Sequence, residues 1–378
     1  MAISKILTTH AGSLPGPDDF DPTRLMNETE LRNAVTSVVH RQRSVGLDII
    51  NEGELTKGGD WLAFMDGRLG GFELRPAGER QSILTQGKDR EEFAEFYRYA
   101  TERQSLFYLP DKRMQTARRY SVCVAPVTYT GEESLRREIG IFQDVVKQTE
   151  NCFLTSTAPS SLEPYRSNEY YKTDEEYVFA LAEALRVEYE MIANAGFLLQ
   201  IDDAWLVALW DRIGIPMGLD AFRKHCMRRI EALNYALSNI PEERVRYHLC
   251  WGSWHGPHAY DIQLKDIVDV MLGVNAGFYS FEAANVRHEH EYQVWENVKL
   301  PQGKKIIPGI VTHSTDLVEH PELVSQRIQR FAKLVGPENV IAGTDCGFGG
   351  RTHPQIAWAK LKSLCEGATL ASKALAGG

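Results

Sequence analysis

Three places in the sequence carry side chains that bind transition metals. In His248-Leu249-Cys250, strand alternation would place the histidine and the cysteine on one side, about 6.5 Å apart along the strand. Glu282 and Cys346 likewise come at or just after the end of a short apolar run. Imidazole, thiolate and carboxylate together suit tetrahedral Zn²⁺, so these four residues predict a zinc site. On spacing alone, a half-buried histidine beside core cysteines remains the alternative.

Eight short β-branched or apolar runs would position these side chains, and most are followed by a longer segment of helical periodicity. Such alternation indicates parallel strands, in either a closed (β/α)8 barrel or an open doubly wound sheet. Eight is the barrel number, and functional groups gather at the C-terminal ends of barrel strands. The predicted strands are Ile6 to Thr9, Leu47 to Asn51, Cys152 to Thr157, Phe197 to Ile201, Val245 to Cys250, Phe278 to Phe281, Lys305 to Val311 and Val340 to Gly343.

Helices are predicted over Asp174 to Ala195, with Thr173 or Asp174 as its cap, and over Leu323 to Leu334. The segment from Trp205 past Met227 also has helical periodicity. Residues 57–149 fit the repeating unit poorly and are interpreted as an insertion or lid after the second strand, with an extra strand at Tyr120 to Tyr129. We therefore expect one barrel domain over residues 1–378.

Composition excludes several classes of protein. The net charge of −9 argues against a nucleic-acid or anionic-membrane surface, because both normally require a basic patch. No apolar run approaches the roughly 20 residues that span a bilayer, and the N-terminus lacks the features of a signal peptide. The six cysteines do not have the dense spacing of a disulfide scaffold. We expect a cytoplasmic protein, and a homo-oligomer is compatible with the sequence.

Short stretches with glycine, polar or metal-binding residues are spread over almost the whole chain. They are Thr8-Thr9-His10-Ala11-Gly12-Ser13, Gly46-Leu47-Asp48 through Gly53-Glu54, Gln200-Ile201-Asp202, His248-Leu249-Cys250, Phe281-Glu282, His313 and Asp345-Cys346-Gly347. Together these stretches resemble the catalytic barrel of cobalamin-independent methionine synthase and its single-barrel relatives, which include epoxyalkane:coenzyme M transferase. The resemblance implies a barrel of the methionine-synthase and uroporphyrinogen-decarboxylase type.

The same resemblance implies the roles of individual residues. The zinc ligands would be His248, Cys250, Glu282 and Cys346. Ser13, Glu54 and Asp202 match positions that hold the thiol amino acid, and His313 matches a histidine that assists proton transfer. Zinc with this anionic ligand set would bind the substrate thiol as a nucleophilic thiolate, and Glu282 is the ligand expected to give way when the substrate sulfur arrives.

The identity of the electrophilic carbon separates two functions. Methionine synthases take a methyl group from a folate, are about twice this length and use a tryptophan shortly after the third strand, where this chain has Tyr165 and no tryptophan. The length and the opening motif favour alkyl transfer as in epoxyalkane:coenzyme M transferase, with His10, His255 and His313 as the candidate proton donors. Methyl transfer from methyl-folate or another donor to homocysteine is the alternative, and an activated ether is a third kind of donor.

Glu54 and Asp202 support the alternative, because two carboxylates would pair with the ammonium of homocysteine. The sulfonate of coenzyme M requires Arg or Lys, and Arg166, Arg287 and Arg351 are the candidates. Tyr165, Arg351 and His10 complete the predicted substrate-binding set.

Two further classes are retained. A metal-free decarboxylase of the same fold would have no use for the Cys and His residues. A non-catalytic zinc-binding protein would more often take cysteine pairs from a single loop.

Overall fold

A computed structural model describes residues 5–18, 20–21, 26–58, 62–76, 83–106, 119–147, 151–252 and 254–377. Within them, eight parallel strands form a (β/α)8 barrel, as predicted. The barrel strands are β1 (Leu7–Thr8), β2 (Ile49–Ile50), β5 (Asn151–Thr157), β7 (Leu198–Asp203), β8 (Val245–Leu249), β9 (Phe278–Phe281), β10 (Lys305–Val311) and β11 (Ile341–Thr344). Their order around the barrel is β1-β11-β10-β9-β8-β7-β5-β2. Where β1 and β2 meet, the Asp48 backbone N–H donates to Thr8 O.

Nearly every position of the barrel strands is buried, including polar residues such as Gln200 and Arg246, because parallel strands of a barrel are covered on both faces. Inside the barrel, a small cluster of Ile49, Phe153, Ile307 and Ile341 is separate from the large core between strands and helices. All eight predicted strands are therefore confirmed, and no strand end differs from its predicted position by more than two residues.

Helices flank the barrel and pack side by side against their neighbours. They are α1 (Glu28–Val45), α2 (Lys88–Glu92), α3 (Ala94–Glu102), α4 (Glu132–Val145), α5 (Pro159–Leu162), α6 (Asp174–Asn194), α7 (Ile215–Met217), α8 (Leu219–Leu237), α9 (Val268–Leu272), α10 (Pro321–Val335) and α11 (Pro354–Ala376). Thr173 caps α6, since its hydroxyl accepts the Glu176 N–H. The helix predicted from Trp205 begins only at Leu219, after a short π-helical turn and α7. None of the described helices is long and apolar enough to cross a membrane.

The segment between β2 and β5 contains more than a barrel unit needs. The predicted extra strand is confirmed as β4 (Arg119–Tyr129), which pairs with β3 (Leu69–Pro76) and β6 (Arg166–Asn168) in a separate sheet. Helix α4 packs against α1 and α6, as a helix of the outer ring does. Residues 59–61, 77–82, 107–118 and 148–150 of this segment lie outside the described residues, and the boundaries 57–149 stay a prediction.

Two glycine replacements test this packing. A methyl group at Gly309 in β10 would lie 2.0 Å from Asp345 Oδ1 and 2.7 Å from the Asp345 backbone N, so Gly309→Ala should destabilise the fold by about 1–3 kcal/mol. Gly140 in α4 has no neighbour within 4 Å of that position, and Gly140→Ala should stabilise the helix by about 0.5–1 kcal/mol. Urea unfolding measures both changes, and effects of the same sign would contradict the packing described.

Candidate metal centre and substrate cavity

The ends of two barrel strands bring three of the predicted ligands together. His248 lies in β8, Cys250 is the first residue after the end of β8, and Cys346 comes two residues after the end of β11. One ligand atom of each residue lies within 4.8 Å of one atom of the other two, and all three residues are buried. Among the described residues, this is the one group of three or more His, Cys, Asp or Glu side chains with such a geometry.

Two observations indicate that this cluster fits zinc. The Sγ atoms of Cys250 and Cys346 are 3.8 Å apart, and two thiolates at Zn–S distances of about 2.3 Å in tetrahedral geometry are also separated by about 3.8 Å. His248 Nδ1 is 3.0 Å from Ser280 Oγ, which fixes the ring, whereas its buried Nε2 has no hydrogen-bond partner. An orphaned imidazole nitrogen beside two sulfur atoms is the arrangement that a metal would satisfy.

Glu282 directly follows β9 and stands beside this group rather than within it. Its Oε1 is 3.4 Å from Cys250 Sγ and accepts the Trp251 backbone N–H at 2.9 Å. Its Oε2 accepts from Asn285 Nδ2 at 2.8 Å. Burial, opposed by the positive charge of His288, raises the pKa of Glu282 to about 7. The carboxylate therefore has hydrogen-bond partners whether or not it binds a metal, which suits a ligand that gives way.

Asp345 organises the loop that carries Glu282. It is fully buried, and its carboxylate accepts the backbone N–H groups of Ala283, Ala284 and Asn285 at 2.7–2.8 Å. Asp345 also directly precedes Cys346 in the chain. It therefore connects two of the four predicted ligands, Cys346 and Glu282.

Replacing Asp345 by asparagine should weaken zinc binding without removing a ligand. An amide cannot accept all three N–H groups, and outer partners of metal sites typically contribute about 10- to 100-fold in affinity. We expect a loss within that range, measured by competition with a chromophoric chelator. Asp48→Asn is the matched control, because this aspartate pairs with Lys5 at the other end of the barrel. Equal zinc affinity in both variants would contradict this role for Asp345.

A cavity of about 110 Å³ opens next to the three ligands. Ser13, Glu54, Asp202, Tyr165 and Arg351 all line it, so five of the six predicted substrate-binding residues meet at one place. The other lining residues are Ala11, Ala204, Trp205, His248, Cys250, Gly252, Trp254, Cys346 and Gly347.

The two carboxylates of the cavity are buried, and the positive charge of Lys57 offsets the cost of burying them only in part. Glu54 has a left-handed backbone (φ 58°), and its Oε1 accepts from Thr155 Oγ1 at 2.9 Å. Asp202 Oδ1 accepts from Gln200 Nε2 at 2.7 Å. Burial raises the pKa of both carboxyls, and burial together with the negative charge of Glu54 raises that of Asp202 to about 7. Such a pair favours a ligand that brings a positive charge.

The two remaining predicted histidines do not line this cavity. His10 is buried behind Gly12, with Nε2 2.9 Å from Gln42 Oε1 and Nδ1 accepting the Gly12 N–H. His313 is buried close enough to Cys346 for their charges to interact, and its Nδ1 has no hydrogen-bond partner. Burial lowers the pKa of His313 to about 3. Both ring nitrogens of His10 thus form hydrogen bonds that fix its position, whereas Nδ1 of His313 is left to accept or donate a proton.

Sequence reasoning missed three residues around this cavity. Trp205 and Trp254 lie in loops after β7 and β8, and no motif marked them. Lys57 is buried, with Nζ 2.5 Å from Thr155 Oγ1 and 3.6 Å from Glu138 Oε1. The one feature of the sequence that could have pointed to Lys57 is its position three residues after Glu54, and that position falls at the start of the segment interpreted as an insertion.

Fold and site together define a (β/α)8 barrel with a His-Cys-Cys cluster beside a carboxylate-lined cavity. No protein-family model matches the chain. It is similar to methionine synthases of Saccharolobus islandicus, at 26% identity over 229 residues that cover 60% of each chain. It is also similar to a methionine synthase of Thermococcus kodakarensis, at 24% identity over 58% of this chain and 57% of that one. The matches thus span about 60% of the length of these curated relatives.

Solved structures confirm the fold. A B12-independent methionine synthase from Shewanella sp. W3-18-1, in complex with selenomethionine, superposes with a TM-score of 0.73 at 19% identity, covering 99% of this chain and 100% of that one. A protein from Listeria monocytogenes assigned as a vitamin-B12-independent methionine synthase has a TM-score of 0.64 at 17% identity, with coverage of 97% and 98%.

Proposed function

We propose that the chain is a zinc-dependent methyltransferase that moves a methyl group from a donor to the thiol of homocysteine. The observation that carries the proposal is the position of the His248, Cys250 and Cys346 cluster in the wall of a cavity that also presents Glu54 and Asp202. The similarity to methionine synthases over 60% of the chain supports it.

In this proposal His248, Cys250 and Cys346 hold the zinc, and Glu282 is the fourth ligand. Zinc, when bound, lowers the pKa of an incoming thiol so that it binds as thiolate at neutral pH. The position of the cluster in a cavity wall argues against a closed structural site, and the presence of the ligand set argues against a metal-free decarboxylase.

The chain's own residues would orient the amino acid. Glu54 and Asp202 would pair with its ammonium group, and this positive charge would favour the ionised form of both carboxyls. Ser13 and Arg351 line the same cavity, with Arg351 Nη1 3.3 Å from Ser13 Oγ, and would bind the carboxylate. With the amino acid oriented in this way, its sulfur would attack the methyl carbon of a methyl-folate donor while the bond from that carbon to the folate nitrogen breaks. The resemblance assigns proton transfer to His313; as a neutral imidazole outside the cavity lining, it would relay the proton that the departing amine needs, taking one up at one nitrogen as it releases one from the other.

The charges of the cavity favour this function over the epoxide reaction that sequence reasoning ranked first. A sulfonate requires cations, and Arg351 is the one arginine or lysine in the described lining. Arg166 is instead paired with Asp66 outside the barrel, and Arg287 is exposed, with Nη2 donating to Ala259 O. The missing tryptophan after the third strand carries less weight, because Trp205 and Trp254 provide aromatic surface from other loops.

Incubating the zinc-loaded protein with homocysteine and 5-methyltetrahydrofolate tests the proposal. We expect methionine to form, with loss of one free thiol for each methyl group transferred. A parallel reaction contains coenzyme M and an epoxide. Turnover in that reaction alone would overturn the proposal, as would a purified protein that binds no zinc. A cytoplasmic location and a homo-oligomeric state remain predictions.

A further inference from the structure

Trp254 joins the substrate cavity to the segment between β2 and β5. It lies in the loop after β8, five residues after Leu249, the last residue of that strand, and its side chain is part of the cavity wall. The same side chain packs against Tyr97, Ala100 and Leu106, which form a small apolar cluster at α3. The His255 backbone N–H also donates to Leu106 O at 2.8 Å. The wall of the cavity thus contains a residue that packs directly against the inserted segment.

A chain of hydrogen bonds fixes this tryptophan. Trp254 Nε1–H donates to the Tyr97 hydroxyl at 3.1 Å, and the Tyr97 hydroxyl donates to Asp89 Oδ2 at 2.6 Å. Asp89 Oδ1 in turn accepts the Ala259 backbone N–H at 2.8 Å, which ties down the far end of the same loop. Asp89 and Tyr97 are both buried. Two residues of the insertion therefore hold the indole nitrogen and the loop that carries it.

The remaining contacts leave the indole ring little freedom. The His258 imidazole stacks on it, with ring centroids 4.2 Å apart, and the Arg212 guanidinium lies 5.2 Å from its centroid. A methyl group at Gly252 or Gly256 would lie 1.9 Å or 2.4 Å from an indole atom, so the backbone of the loop closes tightly around the ring. These contacts, together with the hydrogen bond from Trp254 Nε1 to the Tyr97 hydroxyl, hold the indole ring in one orientation.

The cavity has two kinds of wall. Ser13, Glu54, Asp202 and Arg351 form a charged wall, which the amino and carboxylate groups of the thiol substrate would occupy. Tyr165, Trp205 and Trp254 form an aromatic wall; the Tyr165 and Trp205 rings meet edge to face at 5.7 Å, and Trp205 Nε1 donates to the Tyr165 hydroxyl. A second substrate that brings an electrophilic carbon to the sulfur has this aromatic wall left for contact.

We propose that Asp89 and Tyr97 of the insertion are positioning residues for the methyl donor, and that they act through Trp254 in the aromatic wall. The inference rests on the proposed function and deepens it, because it assigns one side of the cavity to the donor. It also gives the insertion a role in catalysis, since a hydrogen bond made outside the barrel then determines where the donor binds.

The variant that tests this step is Tyr97→Phe, which keeps the ring and removes the hydroxyl. Loss of the hydrogen bond to Trp254 should raise the KM for 5-methyltetrahydrofolate about tenfold and leave the Kd of homocysteine within about twofold. Tyr99→Phe is the matched control, because Tyr99 lies on the same helix with its side chain exposed. Trp254→Phe should have the same effect as Tyr97→Phe, and the double variant should add little to either.

A spectroscopic measurement separates this inference from the proposed function. The indole N–H resonance of Trp254, assigned by its absence in Trp254→Phe, should shift in Tyr97→Phe and not in Tyr99→Phe. In the zinc-loaded protein, 5-methyltetrahydrofolate should shift it further and homocysteine should shift it less. If the donor shifts this resonance but no methionine forms, the proposed function fails while the donor contact stands. If Tyr97→Phe behaves as Tyr99→Phe does, or raises the Kd of homocysteine instead, the inference is overturned.

Discussion

Replacing Cys346 by serine is expected to abolish zinc binding and methyl transfer together. The Sγ atom of Cys346 lies 3.8 Å from that of Cys250, and a serine hydroxyl cannot take its place as an anionic sulfur ligand. Loss of an outer partner alone costs about 10- to 100-fold in metal affinity, so loss of a ligand should cost more than about 100-fold. Metal analysis after dialysis, together with methionine formation, measures both effects.

Cys365→Ser is the control for this replacement. Cys365 lies on α11, half-buried, with Sγ 3.8 Å from Thr8 Oγ1 and away from the cluster. It should keep both zinc and activity. Zinc content equal to that of the unmodified protein in Cys346→Ser would remove Cys346 from the ligand set.

Replacing either carboxylate of the cavity should chiefly weaken the binding of homocysteine. In Glu54→Gln and Asp202→Asn the amide keeps the shape of the side chain and loses the charge that would pair with the ammonium group. Removing one partner of a buried charge pair costs about 2 kcal/mol or more, which corresponds to about a 30-fold increase in Kd. Calorimetric titration of the zinc-loaded variants with homocysteine measures this change.

A change in the thiol provides the matched control for both variants. 4-Mercaptobutanoate has the thiol and the carboxylate of homocysteine but no amino group, so its binding should change much less in either variant. A similar loss of affinity for both thiols would mean that Glu54 and Asp202 act on something other than the ammonium group.

The barrel could be predicted from the sequence because its strands are buried on both faces and carry local signals. Each run is short, and most are followed by a helical segment, as at Lys305–Val311, where four of the seven residues are β-branched. The site followed from the same pattern, since His248, Cys250 and Cys346 lie at strand ends that a parallel barrel brings to one face.

The residues that escaped prediction occupy positions that loop geometry decides. Trp254 reaches the cavity because Gly252 and Gly256 let the backbone fold around its ring, and Tyr97 meets it from 157 residues away in the chain. Neither contact leaves a periodic signal in the sequence. His10 illustrates the converse, because it lies within a matching stretch but directs its ring away from the cavity, towards Gln42.

X-ray absorption at zinc tests the central claim most directly. The account predicts two sulfur ligands in the zinc-loaded protein, from Cys250 and Cys346, and three when homocysteine is added. The third sulfur should accompany the loss of an oxygen ligand, which is the carboxylate of Glu282. A sulfur count that stays at two with homocysteine would contradict the account.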